Sequence, residues 1–193
     1  MDIPILFTES NSFYKSLPGT DCYDIKRNAL TFQGESAVIA HPPCRLFSRL
    51  RAFSTAPQSE KELAYFALSV IQQNGGILEH PANSILWKEK NLPFGNQIDE
   101  FGGFTLSVDQ HWFGHPARKN TWLYIVGLSP GQLPNYSLKF DAIQFKQDKA
   151  DNKSGKKEIP KKLRNATPPD FARWLLEIAR LINEKKNRLS FIN

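Results

Sequence analysis

Ala37-Val38-Ile39-Ala40-His41-Pro42-Pro43-Cys44-Arg45-Leu46-Phe47-Ser48 runs an apolar stretch directly into two prolines and a thiol. Four consecutive nonpolar residues, with neither face polar, are the pattern of a strand covered on both sides, as in parallel sheets. Pro42 and Pro43 fix φ near about −65° and remove two backbone donors, so the chain can neither continue as strand nor start a helix before Cys44. The thiol is thereby presented at the carboxyl end of a buried strand, where open α/β sheets carry their ligands.

The flanking sequence extends the same architecture. Ile3 to Phe7 and Asp21 to Ile25 read as strands separated by the turn signal Leu17-Pro18-Gly19. Ser59-Glu60-Lys61-Glu62 has the form of a capping box that opens a helix with apolar Leu63, Phe66, Ala67, Val70 and Ile71, stopped at Asn74-Gly75-Gly76. Ile77-Leu78 follows as a strand ending on Glu79, and Phe104 to Val108 and Trp122 to Val126 read as two more. Thr167-Pro168-Pro169-Asp170 opens a last helix, at about 167–185, with apolar Phe171, Trp174, Leu175, Ile178 and Leu181. Strands alternating with helices predict one α/β domain over residues 1–193, with a largely parallel sheet flanked by helices.

Composition narrows the function classes. The 193 residues are 40% hydrophobic, enough for one substantial core, and no apolar run reaches membrane-spanning length. No secretory leader pattern opens the chain, so a cytoplasmic protein with no membrane partner is expected. Cys22 and Cys44 are the only cysteines, and His41, His80, His111 and His115 lack metal-ligand spacing, so no metal is expected. The net charge of +6 is concentrated: Lys139 to Arg164 holds nine basic residues against four acids. Lys149 and Lys153 belong to this window, as do Lys156, Lys157, Lys161 and Lys162. Arg45, Arg49 and Arg51 form a second basic group directly after Cys44. Basic surface beside a candidate site suits a polyanion such as DNA, although a lysine-rich stretch is equally a solvated loop.

The order of these strand-end motifs resembles that of DNA cytosine-5 methyltransferases. Pro42-Pro43-Cys44-Arg45-Leu46-Phe47-Ser48 is similar to the family's Pro-Pro-Cys-Gln-x-Phe-Ser loop, and Leu78-Glu79-His80-Pro81 to its Glu-Asn-Val motif. Phe113-Gly114-His115-Pro116-Ala117-Arg118-Lys119-Asn120-Thr121 echoes the Gly-x-Pro-Gln-x-Arg-x-Arg segment, and Arg164-Asn165-Ala166-Thr167-Pro168 the closing Gly-Asn-x-Val-Pro segment. The resemblance implies a reduced Rossmann-like methyltransferase fold, with a basic loop at about 129–163 in place of a target-recognition domain.

It also implies a chemistry. Cytosine C5 is a poor nucleophile until a thiolate, here Cys44, adds at C6. Glu79 would then contact N3 and the exocyclic amine, and Lys119, with Arg118 as its substitute, would supply the cation. Arg45 and Arg49 would lower the thiol pKa. S-adenosylmethionine would be held by an atypical loop from Phe7 to Asn11, which contains no glycine, with Asp24 placed for a ribose and Asn165 in the closing motif. Two other readings stay open. One is a different base reaction in the same Cys/Glu pocket without the methyl donor, and the other a non-catalytic basic nucleic-acid binder of phage or mobile-element type.

Overall fold

The computed structural model describes residues 2–49, 51–147 and 155–190. Lys149 and Lys153 of the basic window lie outside the described residues. Six strands form one sheet: β1 (Ile3–Leu6), β2 (Thr20–Tyr23), β3 (Val38–Ala40), β4 (Gly76–Pro81), β5 (Phe104–Asp109) and β6 (Asn120–Val126), in the order β2-β1-β3-β4-β6-β5. The first four are mutually parallel, and β6 runs antiparallel to both β4 and β5. The architecture is therefore a mixed α/β fold with a mostly parallel sheet.

Strand alternation divides the interior in two. Ile5, Ile39, Ile77, Leu123 and Ile125 point to one face and pack under helix α4 (Pro169–Ser190). Leu6, Val38, Ala40, Leu78, Tyr124 and Val126 point to the other and pack under helix α1 (Glu60–Asn74) and the short helix α2 (Leu86–Glu89). Successive side chains of a strand face opposite ways, so each strand feeds both cores. On α4, Phe171, Trp174, Leu175, Ile178 and Ile182 are buried at the helical repeat, each contributing ~1.5–3 kcal/mol of transfer free energy.

Several local expectations are corrected. Ser59 has helical φ/ψ and makes no side-chain cap bond, so the capping box does not form. The amides of Glu60, Lys61 and Glu62 instead bond to the carbonyls of Pro57, Gln58 and Ser59, because the chain is already turning before the helix begins. β2 stops at Tyr23, since Asp24 Oδ1 accepts from the amides of Lys26 and Arg27 and turns the chain out of the sheet, leaving Ile25 exposed. Helix α4 starts at Pro169 and continues to Ser190, and a further helix, α3 (Lys161–Asn165), precedes it. The segment from 129 to 147 is tied across the β5–β6 connection, where Lys139, Gln144 and Phe145 donate backbone N–H to the carbonyls of Trp112 and Pro116. No helix among the described residues is long and apolar enough to cross a membrane.

Candidate active site

The parallel strands deliver their carboxyl ends to one edge of the sheet. β1 ends at Leu6 and β3 at Ala40, paired side by side, while β1 continues to β2 on its other flank. Adjacent strands whose connections diverge in this way leave a crevice at their ends. Into that edge β3 sends His41 to Cys44, β4 sends Glu79, β5 ends on Asp109 and Gln110, and β6 starts at Asn120, just after Lys119.

The Cys44 loop is rigidly held. The amide of Phe47 donates to the Cys44 carbonyl at 3.0 Å, closing a turn, and Phe47 itself is fully buried in the α1-side core. Arg45 forms a two-pronged pair with Glu60 in the first turn of α1, with Nε to Oε1 at 3.1 Å and NH2 to Oε2. The expectation that Arg45 lowers the thiol pKa is corrected by this pairing, because its charge is turned to Glu60. Burial, then the charge of Glu79, raises the Cys44 pKa, and Lys119 opposes them. Cys44 remains half-buried rather than sealed.

Glu79 occupies the α4 side of the sheet, the same face as Ile77 two residues before it. Its Oε2 accepts from His41 Nδ1 at 3.0 Å and its Oε1 from Gln110 Nε2 at 2.9 Å. Burial alone would raise the carboxyl, but the His41 hydrogen bond, the charge of Lys119 and the charges of His41 and His80 outweigh it and hold the pKa at about 2. Glu79 is thus a carboxylate at neutral pH, and its side chain is still 14% exposed. Gln110 is itself fixed by a 2.9 Å bond to Thr121 Oγ1, and His41 Nε2 lies 3.2 Å from the hydroxyl of the fully buried Tyr14.

Lys119 links segments far apart in the sequence. Its Nζ donates to the carbonyls of Ala166 at 3.3 Å and Asn165 at 3.5 Å, while its charge reaches both Glu79 and Cys44. The structure therefore brings Cys44, Glu79, Lys119 and the Asn165 backbone to one place. Arg118 is exposed beside them. His80 points to the opposite face, buried between Phe47 and Trp87, and His115 is tied to the carbonyls of Ala117 and Leu163, so neither ring joins His41 at Glu79. Trp112, Phe113, Trp122 and Tyr124 are sheet packing: Phe113 lies against Phe171 and Trp174, and Trp122 against Trp87 and Phe94.

His41 completes the site's hydrogen bonding more fully than its place in the sequence signals. Gln110 and Tyr14 carry no sequence signal at all, since one sits past a strand end without a motif and the other within an ordinary aromatic pair. Among the described residues no group of three or more His, Cys, Asp or Glu side chains is placed to hold a metal.

The residues following β1 do not fit S-adenosylmethionine. Phe7 takes φ of 62° and Thr8, buried, gives both its N–H and its hydroxyl to the Tyr23 carbonyl, at 2.9 and 3.2 Å, which draws the loop against β2. No glycine opens a backbone cradle there. Asp24, the acid placed for a ribose, is bound to Lys15 and to two backbone amides, which hold its pKa at about 2. Three donors already engage its two oxygens.

The basic residues stand as follows. Arg49, Arg51, Lys156, Lys157, Lys161 and Lys162 are exposed. Lys139 pairs with Asp170 at 2.5 Å and Arg164 with Glu158 at 2.5 Å, which removes two charges from the free surplus.

The electrostatics predict a labelling pattern. In a Cys22→Ala background, iodoacetamide should modify Cys44 slowly at pH 7, faster in Glu79→Gln and more slowly in Lys119→Ala, each severalfold by intact-mass kinetics. Equal rates in all three proteins would contradict the placement of these charges.

A scan against models of known protein families and searches of curated proteins and of solved structures found no match to this chain.

Proposed function

We propose that the chain is a DNA cytosine-5 methyltransferase-like protein whose Cys44 adds to C6 of a pyrimidine base, in a pocket that works without the methyl donor. The observation that carries this reading is the convergence of Cys44, Glu79 and Lys119 at one sheet edge from three separate segments of the chain. A thiol supplies the nucleophile, and a carboxylate supplies an acceptor for the exocyclic amine of cytosine. A lysine supplies a cation for the ring oxygen as charge develops there. A base inside a duplex cannot reach such a pocket, so the substrate is single-stranded or flipped out. Exposed Arg49, Arg51, Lys157, Lys161 and Lys162 offer phosphate contacts, and Phe53, 84% exposed two residues beyond Arg51, offers an apolar face to an unstacked neighbour.

The test is adduct formation with single-stranded DNA containing 5-azacytosine. In that ring the thiol adds across C6 and N5, sulfur to C6 and the proton to N5, so the adduct needs no methyl donor. Wild type should give a DNA-shifted band stable to denaturation, absent in Cys44→Ser and strongly reduced in Glu79→Gln. Wild-type protein that binds this DNA but forms no adduct would leave only the non-catalytic binder.

A further inference from the structure

We propose that the site works on single-stranded DNA, held on either side of the sheet edge by Phe53 and Phe140 as stacking platforms. This rests on the base-addition reading above for the place of the target base only, and adds to it the class of strand and the residues that grip the neighbouring bases.

Phe53 and Phe140 are each 84% exposed, although both stand on pinned backbone. The amides of Arg51 and Ser54 bond to the carbonyls of Ser48 and Arg51, which closes the turn that carries Phe53. The amide of Lys139 bonds to the Trp112 carbonyl at 2.8 Å, and His111 Nε2 lies 2.8 Å from the Asp141 carbonyl, so Phe140 is fastened on both sides. A single exposed phenylalanine needs no explanation, but these two flank the same edge. Phe53 lies between the Cys44 loop and α1, whose first turn is joined to that loop by Arg45 and Glu60, and so stands on the α1 side. Phe140 rides on the 3-10 turn Gln110–Phe113 after β5, whose Phe113 packs against α4, and so stands on the α4 side. The ends of β3 and β4, with Cys44 and Glu79, separate the two.

The charges of both flanks suit a phosphate backbone. Glu60 faces Arg45, Glu158 faces Arg164, Asp170 faces Lys139 and Arg173, and Asp109 accepts from the amides of His111 and Lys119. The exposed acids of the flanks, Glu62 and Asp141, stand against exposed Arg49, Arg51, Arg118, Lys157, Lys161 and Lys162. A strand crossing the edge can set its phosphates on these cations and lay one base on each phenyl ring, whatever the base, because every base has a π-face. A duplex keeps its bases stacked on one another and offers neither ring a partner. The base midway between the platforms then meets the thiol.

The experiment is anisotropy of labelled oligothymidine of about 20 nucleotides, which reads the strand without requiring an adduct. Phe53→Ala and Phe140→Ala should each weaken binding at least about fivefold, while Phe53→Trp and Phe140→Trp should keep it, because a π-face carries the contact. The dependence of affinity on salt should be unchanged in both alanine variants, whereas Arg51→Ala should lower its slope by about one, since only that change removes a phosphate contact. Melting curves of all the variants should match wild type, because neither ring is packed. Wild-type affinity in either alanine variant, or a duplex bound as tightly as the single strand, overturns the proposal. If wild type also forms the adduct with 5-azacytosine DNA, that outcome leaves the base-addition reading intact. Binding that depends on both rings, in a wild-type protein that forms no adduct, overturns that reading and supports the platforms.

Discussion

Gly76→Ala should leave little folded protein at room temperature. Gly76 opens β4 at φ of 138°, and a Cβ built there would lie 2.2 Å from the Val38 carbonyl oxygen and 2.8 Å from the Val38 nitrogen. Both are backbone atoms of the neighbouring strand, so no side chain can swing aside to relieve the overlap. Val38 is also the residue paired with Gly76 in the ladder, and the two strands could separate only by breaking the register that sets Ala40 beside Leu78. The combined strain and lost pairing cost more than about 4 kcal/mol, a large part of the 5–15 kcal/mol that stabilises an ordinary domain. Gly95→Ala is the control: it too has positive φ, 64°, but nothing lies within 4 Å, so it should cost only about 1 kcal/mol. Urea denaturation of the two variants checks the contrast. Equal midpoints would mean that β3 and β4 are not paired as described.

Acidification should destabilise the protein over two successive pH ranges, each assigned to one buried group. His80 is wholly buried with neither ring nitrogen in hydrogen-bond geometry, and burial lowers its pKa from the ordinary 6.5 to about 4, against the charge of Glu79 and the Pro43 carbonyl. The unfolded chain therefore binds this proton more readily, and stability present above pH 6.5 is lost as pH falls from 6.5 to about 4. Glu79 is also depressed, from 4.5 to about 2, so its contribution is complete above pH 4.5 and is lost between 4.5 and about 2. Displacements of this size correspond to ~3 kcal/mol for each group. The melting temperature should thus fall continuously from neutral pH downward. His80→Leu should flatten the upper part, because an apolar side chain between Phe47 and Trp87 abandons no bonded partner. Glu79→Gln should flatten only the lower part. A melting temperature constant from pH 7 to pH 4 in wild type would refute the burial of an uncharged His80.

The sheet was legible in the sequence because its strands carry short apolar runs ended by proline, glycine or acid. Ala37 to Ala40 and Trp122 to Val126 sit where those runs place them. Strand and helix ends were less so, since they depend on local hydrogen bonds: Asp24 ends β2 by capturing two amides, and the turn before Glu60 removes the work of the Ser59 side chain. The reversal of β6 and its insertion between β4 and β5 leave no trace in composition, because a strand buried on both faces looks alike in either direction. At the site, Cys44, Glu79 and Lys119 were marked by their position beside strand ends, which is a property of the chain order. The partners that set their charge were not. Arg45 follows the thiol in sequence but pairs with Glu60, whereas Gln110 and Tyr14 reach Glu79 and His41 only through tertiary packing.

Lys119 bonded to the carbonyls of Asn165 and Ala166 has a consequence for synthesis. A nascent chain exposes the thiol loop and the carboxylate long before residues 165 and 166 leave the ribosome. Until that late segment arrives, the ammonium group has no fixed seat, and the cation that counters Glu79 at the sulfur is not in place. The counterweight to Glu79 beside the sulfur is therefore assembled from segments made at well-separated moments, and it is complete only after residues 165 and 166 have emerged.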